Sequence, residues 1–507
     1  MDAAHFPGGH AAGVVFPRST ADVVDAIAQH AVLLPIGAQS SLTGGATPMG
    51  ETIVATSKMA RIVSVAPHEI VVEPGVTVAA MQDALREIGA WFPPAPTYTA
   101  ACAGGIVATN AAGASTFKYG STRKWVEAIT VVLADGTVLE IVRGRQRARD
   151  GRLTLETRSG TIQVPVPGYR MPDVVKRSAG YYAEPGMDPI DLFIGSEGTL
   201  GIITRITFRV ATPAPLVAMA FVPCIHELQG LGLVGDLRDA SAETWRSDDP
   251  AGLDISAIEH LDRRSLQIVH EDGVDRRHNV TIPPDTELAL LVQLELPAGT
   301  TDEAAYRLVE HALSEASMDG PIVRFCRILD AAGLLDASEL APPGQVRRMR
   351  DFRQIREAVP EGVNQRVGAA KRTVDDRIEK TAADMIVPFE RFADMMRVYR
   401  GGFEQRGLDY AVWGHISDGN VHPNVIPRRY DEVVRGKEAI LEFGRAVVSM
   451  GGCPLAEHGV GRSAVKQALL EQLYGQDGID EMRRVKRVLD PGWKLAPGVL
   501  FQRSRPA

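Results

Sequence analysis

The chain has 507 residues, with 55 basic and 63 acidic side chains and a formal net charge of −8. Hydrophobic residues make up 45% and charged residues 23%, a globular composition that excludes a disordered or fibrous chain. The acidic balance lacks the basic face that a nucleic-acid binder needs. At this length two or more folding units are expected. The apolar runs, such as 31–36 and 288–292, are too short to span a bilayer, and the first thirty residues lack the basic and apolar regions of a signal peptide. Cys102, Cys224, Cys326 and Cys453 form no CxxC pair, which suits neither a disulfide framework nor a cysteine zinc site. A reduced, cytoplasmic protein is the expectation.

Along the chain, Ser19-x-x-Asp22 resembles a capping box, and Val23, Ile27 and Ala31 then recur at helical spacing. Residues 32–36 read as a buried strand opening into the glycine- and hydroxyl-rich loop 37–45. A strand at 70–72 is stopped by Pro74-Gly75, and a helix follows with Val78, Met81, Leu85 and Ile88 on one face. Residues 126–142 read as a hairpin turning at Asp135-Gly136. From about 215, strand-like runs (216–221, 288–296) alternate with helical stretches such as 301–316, which Thr300-x-x-Glu303 could cap; this predicts a separate α+β domain. Beyond about 450 come glycine loops, one helix and Asp490-Pro491-Gly492.

Three glycine-rich segments, 37–45, 104–120 and 195–201, could each cradle a phosphate, because glycine lets consecutive backbone N–H groups approach an anion. None is a strand–GxGxxG–helix or Walker A loop, so an ordinary Rossmann or P-loop site is disfavoured. Each alone reads equally well as a tight turn. Together they point to one large phosphate-bearing cofactor.

The segment Tyr410-Ala411-Val412-Trp413-Gly414-His415-Ile416-Ser417-Asp418-Gly419-Asn420-Val421-His422-Pro423-Asn424 carries Asp-Gly between apolar runs, a two-residue hairpin signal. That turn would pair Ser417 with Asn420, Ile416 with Val421 and His415 with His422. Directly opposed residues have Cβ atoms about 5 Å apart, from which two imidazoles can share a metal ion. Glu457 of Glu457-His458-Gly459 is the best candidate for a third ligand in a His2Glu set, with His458 beside it as a base. The same residues also read as histidines flanking a surface turn and a loop pair. Zinc is the default ion; manganese or iron accepts the same donors.

The order of these motifs resembles the vanillyl-alcohol-oxidase-type flavoproteins. The resemblance rests on Pro35-Ile36-Gly37-Ala38-Gln39-Ser40-Ser41-Leu42-Thr43-Gly44, Val72-Glu73-Pro74-Gly75-Val76, Pro93-Pro94-Ala95-Pro96 and Gly104-Gly105-Ile106-Val107-Ala108-Thr109-Asn110-Ala111-Ala112-Gly113. It continues through Lys118-Tyr119-Gly120, Asp191-Leu192-Phe193-Ile194-Gly195-Ser196-Glu197-Gly198-Thr199-Leu200-Gly201 and Leu489-Asp490-Pro491. It covers nearly the whole chain and implies an α+β architecture. A two-subdomain PCMH-type FAD-binding domain would span 1–214, and an α+β cap (substrate) domain with an antiparallel sheet and the histidine hairpin 215–450. A C-terminal segment, 451–507, would return to the FAD domain. The implied FAD contacts are Ile36, Gly37, Ala38, Gln39, Ser40, Ser41, Gly44, Pro96, Gly104, Gly105, Thr109, Asn110, Gly113, Tyr119, Gly120, Glu197, Gly198 and Ile203. The family's all-glycine stretch reads Gly37-Ala38-Gln39 here, and its Ile-Gly-Gly reads Ala103-Gly104-Gly105. Members that tether FAD covalently often use a histidine near the first loop; Gln39 and Ser40 stand there, so non-covalent FAD is expected.

His415-x-x-Asp418-Gly419-Asn420-x-His422 and Glu457-His458-Gly459 are similar to the metal motifs of the D-2-hydroxyacid dehydrogenase branch, which includes D-lactate and D-2-hydroxyglutarate dehydrogenases. The resemblance implies His415, His422 and Glu457 as metal ligands, His458 as general base and Asn424 as a substrate contact. It places Arg356, in Phe352-Arg353-Gln354-Ile355-Arg356, on the substrate carboxylate; read alone, Arg356 is a solvated helix charge. Lys380 is the implied substrate-side lysine, although it lies four residues before Asp384 where the family has two. The implied reaction is oxidation of a D-2-hydroxy acid, D-lactate-like, to the 2-oxo acid, with a metal polarising the hydroxyl, His458 taking its proton and hydride passing to flavin N5. The alternative is non-redox transfer of the alkylglycerone-phosphate synthase type, a branch without the paired histidines. Expected partners are the small 2-hydroxy acid and an electron acceptor (a quinone, a cytochrome or an electron-transfer flavoprotein), with no nucleic acid. A homodimer and peripheral membrane association are left open.

Overall fold

The computed structural model describes residues 2–503 apart from 95, 97, 159 and 316. The chain divides into two compact units: Met1–Gly113, Gly120–Ala214 and Val447–Ala507 form the first, and Ala114–Tyr119 with Pro215–Ala446 the second. No helix among the described residues is long and apolar enough to cross a membrane.

In the first unit, the Ser19 hydroxyl accepts the Asp22 N–H and opens helix Thr20–Gln29, which buries Val23 and Ile27. The Asp22 carboxylate caps the Arg18 N–H instead of closing a reciprocal box, and Ala31 lies exposed beyond the helix end. Strand Leu33–Ile36 joins a three-stranded parallel sheet with Gly13–Val15 and Thr52–Ala55. A five-stranded antiparallel sheet forms the other subdomain, in the order Ile62–Ala66, Glu69–Val72, Ile202–Arg209, Val126–Val132, Val138–Val142. Helix Val78–Arg86 buries Val78, Met81 and Leu85 but stops short of Ile88, which is exposed. The hairpin of 126–142 pairs Val132 with Val138, so its connection is 133–137 rather than Asp135-Gly136 alone. The Leu133 carbonyl accepts the Gly136 N–H, and the Leu133 N–H donates to Thr137, which closes the longer turn.

The C-terminal helix Ala464–Leu489 ends on a buried lock. Lys486 donates to the Thr199 carbonyl at 2.7 Å, to Asp490 Oδ2 at 2.8 Å and to the Leu495 carbonyl at 2.9 Å. Asp490 in turn accepts the N–H groups of Lys494 and Leu495. The Leu489-Asp490-Pro491 motif is therefore a structural tie within this unit. Lys486→Met should cost about 3 kcal/mol in chemical denaturation, because it strands the Asp490 charge in the interior.

The second unit is built on an eight-stranded antiparallel sheet. Its order is Glu339–Ala341, Leu216–Cys224, Leu288–Leu296, Ile255–Asp262, Tyr410–His415, Asn420–Val425, Thr381–Ala382, with Met385–Ile386 also paired to Asn420–Val425. Strand alternation sets Phe221, Leu291, Leu261 and Trp413 on one face. Against them the long helix Val346–Thr373 packs Phe352, Ile355, Val359 and Val363. The helix expected over 301–316 is Asp302–His311, capped by Thr301 accepting the Ala304 N–H; the Thr300 hydroxyl bonds the Pro297 carbonyl instead. Ala316 lies outside the described residues. Residues 114–119 group with this unit through Lys118, which bonds Asp254 and Glu295 at 2.6 Å each.

Candidate functional site

The glycine-rich segments of the first unit converge on one cavity of about 790 Å³. Ile36, Gly37, Ala38, Gln39, Ser40, Ser41, Pro96, Gly104, Gly105, Thr109, Glu197, Gly198 and Ile203 stand on its wall, together with Glu457 and His458. Gly104 is demanded by crowding, since a Cβ there would lie 2.7 Å from Pro74, whereas the position of a Cβ on Gly105 is open space. Such bare backbone beside a large cavity fits a phosphate-bearing cofactor of FAD's kind. Five expected contacts are not on this wall. Gly44 is packed beneath the Phe6 ring, Asn110 turns its carbonyl oxygen to the Arg123 N–H, and the Tyr119 hydroxyl donates to Glu295 within the second unit. Gly113 and Gly120 also stand off the wall, and Ala95 of the proline-rich motif lies outside the described residues. Cys102, Tyr98 and Thr56 line the cavity without any sequence signal that singles them out.

Glu197 is buried and accepts the Val460 N–H at 2.7 Å and the Gly461 N–H at 2.9 Å, which pins the loop after His458. Burial pushes its carboxyl up to about 7 despite those two bonds. Glu457 meets the fully buried Lys176 at 2.5 Å, and its other oxygen lies 3.8 Å from His458 Nε2. Lys176 was invisible to pattern reading, because a single lysine between loops has no local signature.

In the second unit the histidine hairpin takes a different register from the expected one. His415 pairs with Asn420 and His422 with Trp413. Residues 416–418 form a 3-10 turn, closed by Gly419 at φ +85°, where a Cβ would overlap the Val387 carbonyl. The shift has an identifiable cause. Asn420 is held from elsewhere, its amide donating to Asp384 Oδ1 at 3.0 Å and to the Met385 carbonyl at 2.9 Å. His415 and His422 are thus diagonal neighbours on one face instead of directly opposed, with ring centroids 5.6 Å apart and planes at 87°.

Each imidazole has a carboxylate behind it. His415 Nδ1 lies 3.0 Å from Glu259 Oε1, and His422 Nδ1 lies 3.4 Å from Asp384 Oδ1. A carboxylate on Nδ1 orients a ring and leaves Nε2 for a cation, the common outer arrangement of metal-bound histidine. Glu259 Oε2 also lies 3.2 Å from Arg356 Nε. Arg356 is therefore no solvated helix charge: it is mostly buried and faces an acid. Burial raises the Glu259 carboxyl, but Arg356 and His415 outweigh it and hold it at about 2. Asn424, on the same face as His422, is buried; its amide donates to the His422 carbonyl and its Oδ1 has no hydrogen-bond partner among the described residues. Lys380 is half-buried just before strand Thr381–Ala382, and desolvation lowers its ammonium to about 8. Glu259 carries no local sequence signal because it sits in an unbroken strand pattern, and Asp384 stands out in the sequence only by its spacing from Lys380.

Residues 11–141 match the family described as "FAD binding domain", and residues 233–500 match "FAD linked oxidases, C-terminal domain". A D-lactate dehydrogenase of Archaeoglobus fulgidus is 27% identical over 97% of this chain and 91% of its own length. A D-2-hydroxyglutarate dehydrogenase of Xanthomonas citri pv. viticola is 28% identical over 94% of this chain and 85% of its own. Among solved structures, an alkyldihydroxyacetonephosphate synthase superposes with a TM-score of 0.59 at 15% identity, over 96% of this chain and 75% of that one, a likeness of fold. The second family match alone spans more than half of the chain, and it joins a domain whose glycine segments wall a single large cavity: the protein belongs to the FAD-linked oxidases, with a PCMH-type FAD-binding domain.

Proposed function

We propose that this protein oxidises a D-2-hydroxy acid, D-lactate-like, to the 2-oxo acid, using non-covalent FAD and a divalent cation, zinc by default. The observation that carries the reading is the buried relay Arg356–Glu259–His415, an arginine coupled through one carboxylate to the Nδ1 side of a histidine. Bound FAD supplies the two-electron acceptor. A cation held by His415 and His422, with Glu457 as a third donor from the motif, supplies positive charge beside the substrate hydroxyl. Arg356 binds the substrate carboxylate through its fork of N–H donors, with Glu259 fixing the Nε side. Asn424, whose Oδ1 has no hydrogen-bond partner among the described residues, stands on the substrate side, and His458 takes the hydroxyl proton, a role imidazole commonly fills. The final acceptor is proposed to be a quinone, a cytochrome or an electron-transfer flavoprotein.

Anaerobic mixing of the metal-loaded flavoprotein with a panel of D- and L-2-hydroxy acids tests the reading. Loss of the flavin absorbance band with a D-acid, absent when the metal is chelated before mixing, is the expected result. No loss with any acid, flavin and metal both being present, would move non-redox transfer of the synthase type to the front.

Two further results are expected here. Glu259→Gln should weaken metal binding by about ten- to a hundredfold, read by titration with a competing chelator, because a neutral amide orients His415 less strongly. Lys380 is charged below about 8 and neutral above it. If it helps hold the acid, KM should rise as pH climbs through that value, and Lys380→Arg should abolish the rise because guanidinium stays protonated. A KM flat with pH in both proteins would remove Lys380 from the substrate site.

A further inference from the structure

The second unit holds another cavity, of about 440 Å³, that the proposed reaction does not use. Glu259 and His260 are consecutive on strand Ile255–Asp262, so their side chains leave opposite faces of the sheet. The Glu259 face carries the relay; the cavity opens on the His260 face, where His260 meets the Phe392 ring edge-on. Two polar groups on its wall are almost completely buried yet unsatisfied. His260 hydrogen-bonds the Val412 backbone, but its Nδ1 has no partner among the described residues, and neither has the Tyr399 hydroxyl. Burial lowers the His260 imidazole to about 4, so at neutral pH Nδ1 is a lone-pair acceptor. A buried polar group without a partner costs free energy and calls for one.

The charges on the wall indicate what kind of partner. Five carboxylates face three arginines there. The arginines are engaged: Arg400 with Glu227 at 2.6 Å, Arg264 with Asp409 at 2.9 Å, and Arg263 near Glu287 at 4.0 Å. Asp262 and Glu404 form no ion pair with an arginine among the described residues. Asp262 accepts only neutral donors, from Ser265 and Val412, and Glu404 accepts the Tyr410 hydroxyl at 3.4 Å. The cavity thus offers surplus negative charge and unsatisfied acceptors, which disfavours an anion such as the hydroxy-acid substrate.

We propose that this cavity is a second ligand site, distinct from the relay face, that takes a small organic cation: a primary amine or a guanidine. The ammonium or guanidinium N–H groups satisfy His260 Nδ1 and the Tyr399 oxygen and lie against the unpaired carboxylates. Calorimetric titration of the FAD-loaded protein with putrescine and agmatine, with glycerol and malonate as neutral and anionic controls, tests this. Saturable binding of at least one amine at one equivalent is expected, with neither control binding. Tyr399→Phe and, at the rim, Glu404→Gln should each weaken it about tenfold, the scale of a hydrogen bond to a charged group. The unliganded variants should melt no lower than the parent, since Tyr399→Phe removes a buried hydroxyl without a partner among the described residues and Glu404→Gln keeps an oxygen for the Tyr410 hydroxyl. Failure of both amines to bind, tighter binding of malonate, or amine binding indifferent to Glu404→Gln would overturn the proposal. Its outcome is independent of whether any hydroxy acid bleaches the flavin.

Discussion

Replacing Arg356 by glutamine should lower kcat/KM for the hydroxy acid at least about a hundredfold, and should also lower the melting temperature. Removing one member of a buried, hydrogen-bonded charge pair costs about 2–5 kcal/mol, much of it the penalty of the charge left behind. Here that charge is Glu259, whose carboxyl stays ionised because Arg356 and His415 flank it. The two losses can be told apart. Arg356→Lys keeps a positive charge for Glu259 but loses the planar fork that grips a carboxylate in two places. It should recover most of the stability and little of the activity. The decisive control is a 2-hydroxy amide in place of the acid: an equal loss of kcat/KM on the neutral substrate would mean that Arg356 does not bind the carboxylate.

His458→Ala should lower kcat by about a hundred- to ten-thousandfold, the usual contribution of a positioned base. FAD content should not change, because His458 lies at the partly exposed end of the cavity wall and takes no part in the Glu197 clamp on Val460 and Gly461. The limb of the pH–rate profile that reports the base should disappear in the variant. A kcat within threefold of the parent would transfer the role of base to another group, and Glu457, ion-paired with Lys176, is poorly suited to it.

The contrast between what pattern reading anticipated and what the structure adds follows sequence distance. The helix start at Ser19 and the strands around 33–36, 69–72 and 288–296 depend on turn chemistry and periodicity within a few residues, whereas the cap expected at Thr300 falls on Thr301. Helix ends are less legible: Ala31 and Ile88 continue a helical spacing beyond the point where the backbone stops being helical. Hydrophobic spacing marks a face but does not mark where the chain leaves it.

By itself, the sequence pointed to one large phosphate-bearing cofactor and placed His415 and His422 on one sheet face. Both depend on local backbone rules, and a hairpin that shifts by two residues keeps the same side chains on the same face. Only the tertiary structure decided the register of that hairpin, because the contacts that set it come from Asp384, Met385 and Val387, far back along the chain. It alone decided that Arg356 is a mostly buried, ion-paired residue and not a solvated charge, because Glu259 reaches it from a strand about a hundred residues away. Ion pairs and orphaned polar atoms are relations between distant residues, and no local pattern records them until folding closes the distance.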